Sequence, residues 1–253
     1  MGNEARRRAY LDALGITAWQ RREANAESAR EGETAPAQPM ATPPPQAPTS
    51  PGTQPSDPSP SSQPEVAGLD WSALTEQVAH CQRCRLHETR TQGVFGVGNP
   101  EADWLFIGEA PGAEEDRRGE PFVGRAGQLL DAMLHAAGQS RDSVYIANII
   151  KSRPPKNRDP KPEEIAACLP YLRRQIQLIQ PRLVMLVGRV SAQTLLDSTA
   201  PLGRLRGQVH RLPGFGIPAV VTYHPAYLLR SPLEKRKVWA DLRLARKTLE
   251  EGM

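Results

Sequence analysis

Four short apolar segments, each followed by a stretch with helical character, place the strongest constraint on how this chain can fold. They read ADWLFIGEA, SVYIANII, PRLVMLVG and IPAVVTYHP, at residues 102–110, 143–150, 181–188 and 217–225. Apolar strands that alternate with helices predict a mostly parallel sheet covered by helices on both faces. We therefore expect a three-layer α/β/α fold around a central, mostly parallel four-stranded sheet.

The helical segments between these strands carry ordinary helix signals. GRAGQLLDAMLHAAG places Leu129, Leu130, Met133 and Leu134 on one face, and KPEEIAACLPYLRRQIQLIQ has a proline and two glutamates in its first turn, as the start of a helix prefers. A last helix is predicted over about residues 232–250. Sites in parallel α/β folds lie outside the carboxyl ends of the strands. GEAPG, NIIKS and YHPAYLLR stand at such ends, and we expect them to lie together.

Composition divides the chain into three parts. Eleven of the 25 prolines fall between Pro36 and Pro64, and residues 24–66 contain no aromatic residue. Such a stretch buries too little apolar surface to offset its ordering entropy, which predicts a disordered linker over 24–66. Residues 1–23 have helically spaced apolar side chains and predict a short amphipathic helix that docks on its own domain or on a protein partner. Residues 67–253 are predicted to be the globular domain.

Charge and cysteine content bound the cellular context. Residues 1–66 hold 6 Lys and Arg against 8 Asp and Glu, a net charge of −2, so the remainder is +6. A moderately basic domain is compatible with a polyanionic partner. No apolar run is long enough to span a membrane and no signal peptide is evident, so we expect a cytoplasmic monomer without membrane attachment. The three cysteines are then not expected to form structural disulfides.

Three motifs carry candidate chemistry, and each alone is ambiguous. GEAPGAEEDRRGEPFVGRAGQLLD, at 108–131, is a Gly-Pro-rich loop that could cradle a phosphate but lacks the lysine and spacing of a P-loop. A single histidine, as in YHPAYLLR, is more often structural than catalytic. A lone CxxC pair is weak evidence for a metal.

Taken together and in this order, these motifs and the loop NIIKSRPPKNR resemble the family 4 uracil-DNA glycosylases, the iron–sulfur branch of the uracil-DNA glycosylase superfamily. The resemblance runs from about Cys81 to Arg230. It implies a DNA repair enzyme that binds uracil-containing DNA, hydrolyses the N-glycosidic bond of uracil and leaves an abasic site. Such an enzyme holds the flipped nucleotide in a pocket.

The resemblance assigns roles in that pocket. Asn148 would read the uracil edge, because its amide offers a donor and an acceptor, and Phe122 would stack on the base. His224 would donate to uracil O2 and stabilise the departing anion. Ala110 stands where family 1 enzymes have a water-activating aspartate, which leaves Glu109 as the first candidate for positioning the water.

Two further carboxylates and a glycine belong to the same loop. Glu115 and Asp116 are weaker candidates for water activation and are more readily explained as groups that order the loop. Gly112 falls where family 1 enzymes have a tyrosine, so exclusion of thymine must be arranged differently.

The resemblance also implies a DNA-binding surface. Side chains that contact phosphate position the enzyme without reading sequence, and the loop after His224 would insert into the minor groove. The residues implied are Lys151, Arg153, Lys156, Arg158 and Arg230 for phosphate, and Tyr227 and Leu228 for the inserted wedge.

Family 4 enzymes hold a 4Fe–4S cluster with four cysteines, and this chain has three. Cys81 and Cys84 match the CxxC pair and Cys168 matches the fourth ligand, but Ser152 occupies the third position. A hydroxyl is a hard, weak substitute for a thiolate. Three outcomes stay open: Ser152 ligates through oxygen; water or another ligand takes that corner, or the cluster has three irons; or the cluster is absent. His80 and His87 flank the pair and could offer a nitrogen.

Other functions are compatible with the same residues. Ser152 could mark a catalytically weak or inactive protein of the same fold that binds damaged DNA and recruits a partner through its N-terminal helix. A glycosylase with a different deaminated base as substrate is a second possibility. A relative that crosslinks to DNA is a third, for which His210 is the nearest sequence feature.

Overall fold

The computed structural model describes residues 66–252. The predicted N-terminal helix (1–23) lies outside these residues, and so does the predicted linker except for its last residue. Val66 is buried and opens a 3₁₀ turn, Val66–Gly68. Val66, which the prediction places in the linker, is thus part of this turn.

A six-stranded sheet forms the centre of the described domain. Its strands are β1 (Val97–Gly98), β2 (Trp104–Gly108), β3 (Tyr145–Asn148), β4 (Leu183–Val187), β5 (Val209–Arg211) and β6 (Pro218–Thr222). The spatial order is β1-β3-β2-β4-β6-β5. The four inner strands are parallel, whereas β1 and β5 pair antiparallel at the two edges.

The helices of the described domain connect these strands. They are α1 (Trp71–Ala79), α2 (Ala113–Arg118), α3 (Arg125–Ala136), α4 (Pro162–Ile179), α5 (Arg189–Leu195), α6 (Leu202–Leu205), α7 (Pro225–Arg230) and α8 (Lys235–Glu251). Further 3₁₀ turns span Arg85–Glu88, Pro155–Asn157 and Pro232–Glu234. No helix within residues 66–252 combines the length and the apolar character that crossing a bilayer requires.

Two apolar cores lie on opposite faces of the sheet. Leu105 and Ile107 pack with side chains of α1, α4 and α5 on one face. Trp104 and Phe106 point the other way and pack with side chains of α3, α7 and α8. Successive residues of a strand face opposite sides, so β2 is buried on both faces and reads as a continuous apolar run. The predicted three-layer architecture is confirmed.

All four predicted strands form, and the two edge strands were missed. β1 has two residues and β5 has three, which is too short for an alternating or continuous apolar pattern to stand out. Edge strands can also be less apolar than central strands, because they are partly exposed: β5 has exposed residues at both ends, whereas every residue of β4 is buried. The sheet is therefore wider than predicted, with the same parallel centre.

A buried ion pair joins α8 to the carboxyl end of β6. Asp241, 1% exposed, accepts from the Arg206 guanidinium through Nε at 2.9 Å and Nη2 at 2.6 Å. The Thr222 hydroxyl donates to the same carboxylate at 2.8 Å. Arg206 also lies over the Tyr223 ring, 4.2 Å from its centroid. The pair therefore ties the last helix to the strand that leads into His224.

We expect Asp241→Ala to lower the free energy of unfolding by about 3 kcal/mol, because it leaves a largely buried guanidinium without its counter-charge. Urea denaturation followed by circular dichroism measures this change. Asp103→Ala is the matched control: Asp103 is half-exposed and pairs with Arg182 at 3.6 Å, and loss of a surface pair costs at most about 1 kcal/mol. Equal losses in the two variants would contradict the importance of the buried pair.

Candidate active site

A cleft of about 930 Å³ lies at the carboxyl ends of the parallel strands. This is the edge where the sequence predicts a site. Eight of the predicted site residues line it: Glu109, Ala110, Phe122, Asn148, Arg158, His224, Tyr227 and Arg230. Residues as far apart as 109 and 230 therefore share one cavity.

Asn148 ends β3 and turns its side chain into this cleft. It is 3% exposed, and its amide oxygen is buried without a hydrogen-bond partner among the described residues. Buried polar groups in proteins are nearly always paired, so an orphaned acceptor indicates a missing donor. The geometry supports the prediction that Asn148 binds a ligand.

Gly108 makes room for Asn148. The two residues are paired in the β2–β3 ladder. A Cβ at Gly108 would lie 2.4 Å from the Asn148 amide oxygen and 2.6 Å from the Phe122 ring. Any other residue at this position would force both side chains to move, so the glycine is a packing requirement of the cleft.

Phe122 is held in a strained conformation at the cleft wall. Its φ is +55°, in the left-handed region that L-residues rarely adopt. Arg141 donates to the carbonyl oxygens of Pro121 at 2.6 Å and Phe122 at 3.1 Å. The Phe122 ring lies 5.4 Å from the His224 ring, between centroids. The ring is thus positioned beside both predicted base-contacting residues.

Glu115 holds the other side of the same loop. Its carboxylate accepts from the backbone N–H groups of Gly112, Val123 and Gly124 at 3.0–3.1 Å. Asp116 accepts from the backbone and hydroxyl of Thr91. Both carboxylates therefore act as loop-ordering groups, the interpretation favoured from the sequence. Glu115 joins the GEAPG loop to the Phe122 loop, and it lines the cleft.

His224 precedes α7 and is set up as a hydrogen-bond donor. Its Nδ1 accepts from the backbone N–H of Ala226 at 3.2 Å, which leaves Nε2 to carry the proton in the neutral ring. Burial, which has the largest effect, and the nearby Arg230 cation together lower the pKa of His224 to about 4. The Glu115 carboxylate opposes this shift. The imidazole is therefore neutral at physiological pH and presents Nε2–H.

Glu109 follows β2 directly and is perturbed in the opposite sense. Burial and, to a smaller extent, the nearby Asp159 raise its pKa to about 7, although Arg189 opposes the rise. Arg189 and Asp159 form an ion pair at 2.5 Å. A carboxyl group with its pKa near neutrality inside a cleft is suited to exchange protons or to orient water.

Lys151 corrects the predicted phosphate-binding loop. It is 1% exposed, and its ammonium donates to the Asn148 backbone oxygen at 3.1 Å and to Gln175 Oε1 at 2.6 Å. The prediction that Lys151 contacts DNA is wrong, because its side chain turns inward from the strand end. It braces the end of β3 instead. Burial lowers its pKa to about 8.

The other basic residues of this loop differ in their availability. Arg158 donates to both carboxylate oxygens of the buried Glu164, so its guanidinium is already engaged in ordering the start of α4. Arg153 donates to Asn157 at 2.7 Å. Lys156 is exposed with a φ of +55°. Arg153 and Lys156 remain the loop's accessible candidates for phosphate.

The predicted wedge is shifted by one residue. Leu228 is fully buried in the core beneath α7, with 0% exposure, whereas Leu229 is 40% exposed. In this helix Pro225 and Leu228 share the inner face, as a spacing of three dictates, and the next residue points outward. The assignment of Leu228 to DNA is therefore wrong. Tyr227 and Arg230 do line the cleft.

The three cysteines converge on a second, small cavity beside the first. All three are free thiols. Cys81, Cys84, Cys168 and Ser152 share its walls with Arg83, Arg90, Lys151 and Tyr171. The Tyr171 hydroxyl lies 3.2 Å from Cys81 Sγ, and the Lys151 backbone N–H donates to Cys168 Sγ at 3.1 Å. His80 and His87 are not in the wall of this cavity.

The three thiols of this cavity are the donor type that iron–sulfur clusters select. Within residues 66–252, no three His, Cys, Asp or Glu side chains are grouped closely enough to hold one metal ion. A cluster distributes its thiolates over several irons, so its ligands need only surround a common cavity. Lys151 gives an independent indication, because its buried ammonium contacts only neutral oxygens, and a buried charge requires an opposite one.

Several residues of the two cavities were missed from the sequence. Arg189 lines the cleft directly after β4, and the rule that sites follow strand ends would have pointed to it. Arg90 and Arg141 act over long sequence separations, for which the sequence offers no local signal. Leu229 was one position from the residue predicted.

Comparison with known proteins agrees with this geometry. The family model described as the uracil DNA glycosylase superfamily matches residues 95–243. The type-4 uracil-DNA glycosylase of Archaeoglobus fulgidus is 40% identical over 176 residues, which cover 67% of this chain and 88% of that protein. The type-4 enzyme of Thermotoga maritima is 43% identical over 159 residues, covering 62% and 82% respectively.

A more distant branch matches less of the chain. The type-5 uracil-DNA glycosylase of Thermus thermophilus is 36% identical over 118 residues, which cover 41% of this chain and 53% of that protein. The type-4 proteins thus align over a longer stretch and at higher identity. With its strand-end cleft and its three cysteines in one cavity, the chain belongs to the uracil-DNA glycosylase superfamily and, within it, to the type-4 branch.

Proposed function

We propose that this protein is a DNA repair glycosylase that hydrolyses the N-glycosidic bond of uracil in DNA and leaves an abasic site. The observation that carries the proposal is the buried, partnerless amide oxygen of Asn148 in a cleft that also holds the Nε2–H group of His224. An acceptor and a donor so placed match the N3–H and O2 groups of a flipped uracil.

Base recognition rests on the side chains of Asn148 and Phe122. The Asn148 amide oxygen accepts from uracil N3–H, which ends its isolation, and the amide nitrogen donates to O4. Phe122 supplies a π-face on which the base stacks. Glu115 and Arg141 hold the loop around Phe122, so the stacking surface is preorganised and the ring does not have to be ordered when DNA binds.

Cleavage leaves negative charge on the departing uracil. His224 donates from Nε2 to uracil O2, where that charge develops, and a donor aimed at developing charge in a water-poor site is usually the largest catalytic contribution. A neutral ring suits this role, because it stays protonated on Nε2 over the physiological range. The low pKa of His224 therefore keeps the ring in the neutral form that this mechanism requires.

Hydrolysis also needs a water directed at the sugar. Glu109 lies in the cleft and, in its ionised form, accepts a hydrogen bond from that water and offsets the positive charge that develops on the sugar. Ala110 lacks any polar group, so the role that family 1 enzymes give to an aspartate at that position falls to the preceding residue.

The DNA backbone is positioned by accessible cations around the cleft. We assign this role to Arg153, Lys156 and Arg230, with Tyr227 at the cleft wall. Leu229 replaces Leu228 as the apolar side chain that fills the space left by the flipped base, because it is exposed next to Arg230.

We further propose that Cys81, Cys84 and Cys168 hold a 4Fe–4S cluster. When bound, the cluster supplies a crosslink and a fixed negative charge. Those three cysteines come from the loop after α1 and from α4, so such a crosslink would fasten these two segments to each other, next to the Lys151 backbone N–H that donates to Cys168. Lys151 then acquires the counter-charge that it lacks among its hydrogen-bond partners.

Uracil release from a labelled oligonucleotide, revealed by strand scission in alkali, tests the function. We expect wild-type protein to release uracil and His224→Ala to reduce kcat by about 10²-fold or more, because it loses the donor to the leaving group. Asn148→Ala should cost a comparable factor by removing base recognition. The exposed His135 provides the control His135→Ala, which should retain full activity.

Unchanged melting curves are needed to interpret these losses. If wild-type protein binds uracil-containing DNA without releasing base, the enzyme assignment is wrong and a recruitment function is favoured. If both cleft variants keep wild-type rates, the cleft is not the active site.

The pH dependence of kcat/KM tests the role of Glu109. The carboxylate is the active form, and burial raises its pKa to about 7, so activity should fall as pH decreases through 7, by about tenfold per pH unit below it. His224, with a pKa of about 4, stays neutral across this range. Glu109→Gln should be slower and should lose this limb, whereas the exposed control Glu120→Gln should keep it. A wild-type profile that is flat from pH 5 to 8 would refute the assignment.

The wedge assignment is tested by two neighbouring substitutions. Leu229→Ala should slow uracil release from double-stranded DNA by several-fold and spare single-stranded DNA, because only the duplex needs its stack filled. Leu228→Ala should instead lower the free energy of unfolding by about 2–5 kcal/mol, as loss of a buried leucine does. Equal kinetic losses on both substrates for Leu229→Ala would contradict the wedge role.

A further inference from the structure

Ser152 lines the small cavity that is also lined by Cys81, Cys84 and Cys168, here called the cysteine cavity. Its hydroxyl has a specific hydrogen-bond partner. The residue is 4% exposed and follows the end of β3 by four positions. Its Oγ accepts a hydrogen bond from Arg90 Nη1 at 2.7 Å. The side chain that replaces a cysteine in this chain is therefore oriented by an arginine.

Arg90 is anchored on both sides of this contact. Its Nη2 donates to the backbone oxygen of Ala79, the last residue of α1, at 2.9 Å. The guanidinium consequently bridges the end of α1 and the loop after β3, which are separated by more than 60 residues. It lines the same cavity as Cys81, Cys84 and Cys168, so a fixed positive charge contacts the position where a further thiolate would otherwise be expected.

The charges around the cavity are unbalanced without an anion. Arg83, Arg90 and Lys151 line it, and no aspartate or glutamate among the described residues does. The Glu164 carboxylate lies near Cys84, but its charge is already paired with Arg158. Thiolates bound to iron would supply the missing negative charge. Three of them are available, and the fourth side of the cavity offers a cation and a neutral hydroxyl.

We infer that the fourth iron of the proposed cluster has no protein ligand and is an exchangeable site for a small thiolate. This rests on the proposed cluster. Cys81, Cys84 and Cys168 hold three irons, and Ser152 stays hydrogen-bonded to Arg90 as a neutral, hard donor that iron–sulfur clusters do not select. A low-molecular-weight thiolate is soft and anionic, and Arg90 provides its counter-charge.

An iron without a protein thiolate is also the one that is lost on oxidation. A one-electron oxidant such as ferricyanide converts a cluster of two ferric and two ferrous ions to one of three ferric ions. One ferrous ion leaves, and one electron passes to the oxidant. The three-iron product has an unpaired spin and is seen by electron paramagnetic resonance, whereas the starting cluster is silent. Four thiolate ligands would retain the fourth iron.

The test compares the full-length wild-type protein with Ser152→Cys, both reconstituted anaerobically with iron and sulfide. Iron and sulfide per chain and the paramagnetic signal are measured before and after one equivalent of ferricyanide. We expect wild-type protein to fall from four irons to three and to develop the three-iron signal. Ser152→Cys should keep four irons and stay silent. Ser140→Cys, at an exposed position away from the cavity, should behave as wild type.

Thiolate binding is measured on the dithionite-reduced protein with 2-mercaptoethanol as the probe. The electron paramagnetic resonance spectrum of the wild-type protein should shift as the thiol is added, and that of Ser152→Cys should not. Arg90→Gln should retain the cluster but bind the thiolate several-fold more weakly, because the counter-charge is gone. A wild-type spectrum that does not respond to the probe would overturn the exchangeable site.

The remaining outcomes separate this inference from the proposals beneath it. Wild-type protein that keeps four irons after oxidation would overturn the inference and show that Ser152 or another protein group ligates the fourth iron. Failure of wild-type and Ser152→Cys proteins alike to bind iron would overturn the cluster as well. Uracil release measured on the same iron-free samples would then decide independently whether the glycosylase function stands.

Discussion

The pairing of Gly108 with Asn148 at the carboxyl ends of β2 and β3 is the contact on which the rest of the site depends. The parallel register places the two residues side by side, and the missing Cβ leaves space for the Asn148 amide and the Phe122 ring together. The arrangement of the Asn148 amide and the Phe122 ring thus follows from backbone pairing in the sheet.

Charge organises the two neighbouring cavities in opposite ways. In the cleft, burial pushes the pKa of Glu109 up to about 7 and that of His224 down to about 4, which gives one group able to take up a proton and another that remains neutral. In the cysteine cavity, the charged side chains are cations, and no aspartate or glutamate among the described residues lines it. Lys151 links the two, because its backbone N–H donates to Cys168 while its ammonium holds the Asn148 carbonyl. The strand end that carries Asn148 is thus connected to Cys168 through one lysine.

The predictions that failed share one cause. Lys151 and Leu228 were assigned to DNA from the resemblance of their loops to those of the family, but each side chain turns inward. Lys151 finds Gln175 on α4, and Leu228 meets the core between α3 and α8. Neither partner is close in sequence. The short edge strands were missed for a different reason, since two or three residues carry no periodic signal.

The sequence by itself determined the layer order, the four parallel strands, the edge of the sheet where the site lies and eight of the residues that line the cleft. It could do so because strand ends in parallel sheets converge and because the motifs follow these ends directly. Only the tertiary structure decided which side chains point into a cavity, which tautomer His224 adopts and that Arg90 donates a hydrogen bond to the Ser152 hydroxyl. These depend on contacts between residues far apart in the chain, such as the Arg90–Ser152 hydrogen bond across 62 positions, and no local pattern encodes a contact of that kind.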